Sequence, residues 1–197
     1  AASDVYKRQI YIWTGTATQY KVNLLRKFFE QYKQDPSDLV FFLDDSKGIG
    51  SDEEIERYKI RRKYWESVLP SLQEATGTFL NISPSKNNSI MGATARSGVY
   101  LCCVANYDSA RVEIFIDQGD YQKNRAIYKR LEQNRDAIEA AYGKSLNWVC
   151  QDDVRACKVY DEIKEVSIKN EEDRPVMSAF HIQRAKALLV ATKQFLA

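Results

Sequence analysis

Apolar positions along the chain fall at helical spacing in some stretches and in short, nearly continuous runs in others, and that difference assigns the elements. After a polar, glycine-containing loop at Asp44–Gly50, Ser51 and Glu54 stand at the spacing of a capping box. They open a helix in which Ile55, Tyr58, Trp65 and Leu69 share one side. Pro70 either kinks that helix or begins a second one, and Gly77 ends it. Strand-like runs follow at Thr78–Ile82, Gly98–Ala105 and Arg111–Asp117, the first two separated by a polar loop, Ser83–Ser97. Gly119 and Asp120 mark a turn and a cap. The next helix covers Tyr121–Tyr142, with Ile127, Leu131, Ile138 and Tyr142 on one stripe and Gly143 as its stop. Leu146–Gln151 and Ala156–Val159 form a hairpin joined by Asp152–Arg155, and Glu162–Ile168 either extends its second strand or makes another. The last helix starts at Asp173, with Pro175 in its first turn.

Strands in neighbouring runs with helices before, between and after them imply an α+β fold, a mainly antiparallel sheet of about five strands backed by helices. This compact domain occupies residues 51–197. Residues 10–50 are weakly patterned: a β-like stretch at Ile10–Trp13, a helix carrying Val22, Leu25 and Phe29, then the punctuation Asp35-Pro36-Ser37. They read as the tail or linker of a missing upstream domain. Residues 1–9, with Asp4-Val5-Tyr6-Lys7-Arg8-Gln9, read as a translated sequencing adapter, which makes the chain a fragment.

Composition narrows the function classes. Hydrophobic residues at 44% supply one core and charged residues at 28% can cover it, which argues against global disorder. A formal net charge of +2 means that nucleic-acid affinity, if present, comes from a local basic patch. No apolar run reaches the roughly 18 residues of a membrane span and no signal-peptide core is visible, so a cytoplasmic location is expected. Cys102, Cys103, Cys150 and Cys157 lack paired zinc-ligand spacing and only one histidine, His181, is present, so buried free thiols and no metal site are expected. Cys102 and Cys103 are adjacent on a strand and point to opposite faces.

Two basic features suit phosphate contact. Lys59, Arg61, Arg62 and Lys63 crowd one turn and a half of the first helix, against the plainer reading of a solvated face. In the loop after the first strand, Asn81, Ser83, Lys86, Asn87 and Arg96 offer amide, hydroxyl and cationic donors, against a plain structural loop. Asp153 followed by Glu162 and Lys164 mimics a nuclease's carboxylate ahead of an E-x-K, without the preceding proline and inside an ordinary-looking hairpin. Glu113 and Asp117 share a strand face with Arg111, as a salt-bridged polar face or a carboxylate site. Asp44–Gly50 lacks phosphate-loop spacing, and His181 reads as a packed or surface residue in preference to a general base.

The segments Arg62-Lys63-Tyr64-Trp65-Glu66, Phe79–Lys86, Arg96-Ser97-Gly98-Val99 and Ala110–Asp117, followed by Ile138-Glu139, Tyr142-Gly143, Leu146-Asn147-Trp148 and Arg155-Ala156-Cys157-Lys158, closely resemble a bacterial and archaeal family, domain of unknown function 4268 (DUF4268). The resemblance covers Arg57–Ala197. It implies a C-terminal module that in many members follows a restriction-nuclease-like domain of the PD-(D/E)xK kind. It carries over no catalytic residue. The leading expectation is a non-catalytic accessory module of a DNA-processing or defence protein, which binds DNA or another nucleic acid or docks onto an upstream nuclease-like domain. The alternatives are a metal-dependent nuclease, the one reading that needs Mg²⁺, and a structural or oligomerisation domain without a ligand. No cofactor is expected otherwise.

Overall fold

The computed structural model describes residues 52–196. The stretches read from sequence as an adapter and an upstream tail, and the expected Ser51 cap, lie outside the described residues. The first helix, α1 (Asp52–Thr76), runs through Pro70 as one element, so the proline neither ends a helix nor begins one. Tyr64, Trp65, Val68, Leu69 and Leu72 are its buried stripe. Gly77, at φ +65°, stops it by donating its N–H to the Gln73 carbonyl at 2.9 Å.

The strand expected at Thr78–Ile82 is absent, and the first strand, β1 (Ser89–Ala93), lies inside the stretch expected to be loop. Backbone geometry explains the exchange. Phe79 takes φ +64°, which a strand cannot accommodate, and the Ile82 N–H turns back onto its carbonyl at 3.1 Å. Thr78 and Phe79 cross β1 at Gly92: a Cβ there would stand 2.6 Å from Thr78 Oγ1 and 3.0 Å from Phe79 Cγ. The Thr78 hydroxyl donates to the Ala93 carbonyl at 2.7 Å.

The remaining strands are β2 (Val99–Ala105), β3 (Ser109–Ile116), β4 (Asn147–Val149) and β5 (Cys157–Lys164). All pair antiparallel in the order β1-β2-β3-β5-β4, as the α+β reading requires. Between β3 and β4 the single expected helix is two, α2 (Tyr121–Glu132) and α3 (Arg135–Tyr142). Its apolar stripe skips a turn between Leu131 and Ile138, and Asn134 fills the gap, its amide donating to the Arg130 carbonyl at 2.8 Å. Asp120 caps α2 as expected, accepting the Lys123 N–H at 2.8 Å. The last helix, α4 (Arg174–Leu196), buries Met177, Phe180, Ala185 and Leu188.

The core unites the buried side of α1 and the three later helices with alternate residues of the sheet, among them Leu101, Cys103, Val112, Ile114 and Val159. All helices among the described residues therefore serve one face. The other face carries Tyr100, Cys102, Val104, Arg111, Glu113, Phe115, Lys158 and Tyr160, and Cys102 and Val104 are buried outside the core cluster. Adjacent Cys102 and Cys103 are thus free, buried thiols on opposite faces, as expected, and burial pushes both thiols up from their ordinary pKa. The other two cysteines are a correction: Cys150 and Cys157 form a disulfide. The β4–β5 register places them just past the last pair, Val149 and Lys158, with Cα atoms 4.4 Å apart. Among the described residues no helix is long and apolar enough to cross a membrane.

Candidate nucleic-acid interface

Helical spacing sets the basic run of α1 along its outer side, with Lys59, Arg62 and Lys63 exposed and Arg61 half-buried. Arg62 spends part of its charge on Glu66 one turn on, at 3.1 Å. The chain after Ile82 returns along this helix. The Trp65 indole N–H donates to the Asn87 carbonyl at 3.0 Å, and the Asn87 N–H donates to Ser85 Oγ at 3.0 Å. This anchorage brings the Lys86 ammonium to 4.9 Å from the centre of the Tyr58 ring. Arg61 reaches the ring of Tyr107, in the β2–β3 turn, at 5.9 Å. Asn88 donates to the Asn106 side chain at 2.9 Å, tying the start of β1 to the same turn. The basic run of α1 and Lys86, far apart in sequence, thus meet at one edge beside Tyr58 and Tyr107.

Not every residue expected there joins them. Asn81 and Ser83 are exposed on the segment leading to Lys86. Arg96 lies beyond the far end of β1, a strand that alone spans about 13 Å. There its carbonyl accepts from the Val99 N–H at 3.1 Å in a turn.

The carboxylate candidates are dispersed. Glu113 pairs with Arg111 at 2.8 Å on the sheet face opposite the described helices, as the salt-bridged reading has it. Asp117 lies past the end of β3, about 13 Å further along the chain direction, too far to share an ion with Glu113. Its two oxygens take Nε and Nη2 of Arg155 at 2.9 and 2.6 Å, and the Gly119 N–H at 2.9 Å. Those hydrogen bonds, Arg155 first, hold its carboxyl below the usual range. Asp153 is exposed in the hairpin loop before β5, whereas Glu162 and Lys164 lie at the other end of that strand, about 16 Å past its start. Glu162 and Lys164 instead line a cavity of about 680 Å³ with Asp108 and Asp173. Among the described residues no three His, Cys, Asp or Glu side chains are placed to hold a metal ion.

His181 is a packed residue, as expected. It is fully buried, with Nε2 3.1 Å from the Val104 carbonyl and Nδ1 2.8 Å from the Tyr64 hydroxyl. A carbonyl can only accept, so Nε2 carries the proton and Tyr64 donates to Nδ1. Burial lowers the His181 pKa to about 4.

One buried polar cluster escaped sequence reasoning. Asp161, 3% exposed, accepts from the Tyr142 hydroxyl at 2.5 Å and pairs with Lys144 at 2.6 Å and Arg184 at 3.7 Å. The signal was present: Asp161 continues the inward alternation of Cys157 and Val159, where a carboxylate demands partners.

No curated protein and no solved structure matches the chain. The model of one family matches residues 60–196, which hold α1 from Ile60 onward and every described strand and later helix; the chain therefore belongs to the family described as "Domain of unknown function (DUF4268)".

Proposed function

We propose that this domain is a non-catalytic accessory module of a cytoplasmic DNA-processing or defence protein, and that it binds nucleic acid through the α1–Lys86 edge beside an upstream nuclease-like domain. One observation carries the reading: Lys86, from a loop more than twenty residues on, is held over Tyr58 against the helix that bears Lys59, Arg61, Arg62 and Lys63. Phosphate contact needs clustered cations with donors around them and little else. With a net charge of only +2, such affinity has to be local, and this edge brings Lys86 to the helix that bears the four clustered cations. The reading calls for no cofactor.

The test is binding of the full chain to labelled duplex and single-stranded oligonucleotides, with the variant in which Lys59, Arg61, Arg62 and Lys63 are all alanine alongside. Loss of binding in the variant supports the reading. Cleavage in a parallel Mg²⁺ arm would replace it with the nuclease alternative, and absence of any binding at low salt would make docking onto the upstream domain the reading to test, beside a structural or oligomerisation role.

A further inference from the structure

The sheet face opposite the helices has a composition that a merely solvated face does not need. In the β2–β3 register Tyr100 stands opposite Phe115, and in the β3–β5 register Phe115 stands opposite Lys158 and Glu113 opposite Tyr160. Tyr100, Phe115 and Tyr160 therefore step across three adjacent strands, within the reach of direct and diagonal cross-strand neighbours. All three remain part-exposed. Two cations stand over the last ring, Arg111 at 5.1 Å and Lys158 at 5.5 Å from its centre. Beside Phe115 the face sinks into a cavity of about 280 Å³, walled also by Asn88, Met91, Cys102 and the Arg111–Glu113 pair.

We propose that this face binds the unpaired bases of a single-stranded nucleic acid. Tyr100, Phe115 and Tyr160 supply π-faces for stacking, and the hollow takes one base between Met91 and Phe115. The floor suits a base edge, since Arg111 donates hydrogen bonds and Glu113, at 8% side-chain exposure, accepts them. This inference rests on the nucleic-acid reading of the α1–Lys86 edge and adds the class of strand. Bases in a duplex cover one another's faces, so a stacking surface selects unpaired ones.

Charge gives the strand its direction across the sheet. Asn88 lines the hollow two residues from Lys86, so a backbone leaving the basic edge enters at the β1 side. Lys158 lies at the opposite end of the aromatic steps. The carboxylates of Asp108, Glu162, Glu165 and Asp173 gather at the remaining corner, in the larger cavity, and repel phosphate from it. Arg111 neutralises Glu113, so the path itself carries no unpaired negative charge at its centre.

The experiment measures anisotropy of labelled oligothymidylate and of a labelled duplex with the full chain, its Phe115→Ala and Phe115→Leu variants, and the fourfold alanine variant of α1. Stacking on one aromatic ring predicts that Phe115→Ala weakens single-strand binding by about five-fold or more, with duplex binding unchanged. Phe115→Leu keeps an apolar side chain and a folded sheet, and is expected to show the same selective loss. Photocrosslinking of a 5-iodouracil oligonucleotide to the wild type is expected to label peptides bearing Tyr100, Phe115 or Tyr160. If both Phe115 variants bind single strands as tightly as wild type while the α1 variant does not, or if crosslinks fall on α1 and Lys86 alone, the sheet-face proposal is overturned and the basic edge stands. If the wild type binds no oligonucleotide, both fall.

Discussion

Acid should unfold this domain by way of His181. The folded protein holds that ring neutral, with its pKa down at about 4 against an ordinary 6.5. The unfolded chain takes up a proton near 6.5, so between the two values the unfolded state binds more protons than the folded one. Stability is therefore level above pH 6.5 and falls as the pH drops toward 4. A depression of that size in a fully buried group corresponds to about 3 kcal/mol, a large part of the stability of an ordinary domain. Asp117 and Glu139 are also held below their ordinary values of 3.8 and 4.5, so their contributions are lost as the pH falls past those values, at the acid end of this range and below it. The assay is urea unfolding across that pH range at constant ionic strength, for wild type and for His181→Gln, whose amide can still donate to the Val104 carbonyl. The wild-type curve should slope and the variant's should be flat down to about pH 5, where the carboxylates begin to contribute to both, whatever their offset at neutral pH. Parallel curves would refute the reasoning, because they would mean that His181 charges alike in both states.

Two further expectations concern the fold. Cys150 and Cys157, seven residues apart, close a short loop, and reducing the disulfide should cost about 2 to 3 kcal/mol of stability; a urea midpoint indifferent to reductant would contradict the pairing. Gly92→Ala puts a methyl against the Thr78 hydroxyl and the Phe79 ring and should destabilise by about 1 to 3 kcal/mol. An unchanged midpoint would mean that the Thr78–Phe79 segment does not cross β1.

The parts of the fold legible in the sequence are those whose burial pattern is dense. β2 and β3 are almost wholly buried, and the capped helix ends at Gly77, Asp120 and Gly143 carry their own chemistry. β1 was hidden because Ser89-Ile90-Met91-Gly92-Ala93 buries only Ile90 and Gly92, and a small residue at Gly92 leaves no apolar signal. Phe79-Leu80 reads as strand by composition, yet Leu80 is 68% exposed and Phe79 adopts a left-handed backbone. The same error misplaced Arg96: Ser83–Ser97 reads as one loop, whereas β1 passes through it and sends Lys86 and Arg96 to opposite ends of the sheet. The basic run of α1 was plain from spacing. Its meeting with Lys86 was not, because it depends on Trp65 anchoring Asn87, a contact across 22 residues. The aromatic steps on the second face were equally hidden, since they follow from strand register and not from any one strand.

The central claim is that nucleic-acid affinity is local to the α1–Lys86 edge, and the most direct test is the salt dependence of binding in two charge-matched variants. One replaces Lys59, Arg61, Arg62 and Lys63 with alanine. The other replaces Lys123, Lys129, Lys186 and Lys193, exposed lysines on α2 and α4, so that each loses four positive charges. With roughly one counterion released per phosphate contact, the edge variant should lose about 3 units of the slope of log K against log salt, and the control less than about 1. Equal losses in the two variants would contradict the account, because affinity would then follow bulk charge and not the edge that the fold assembles.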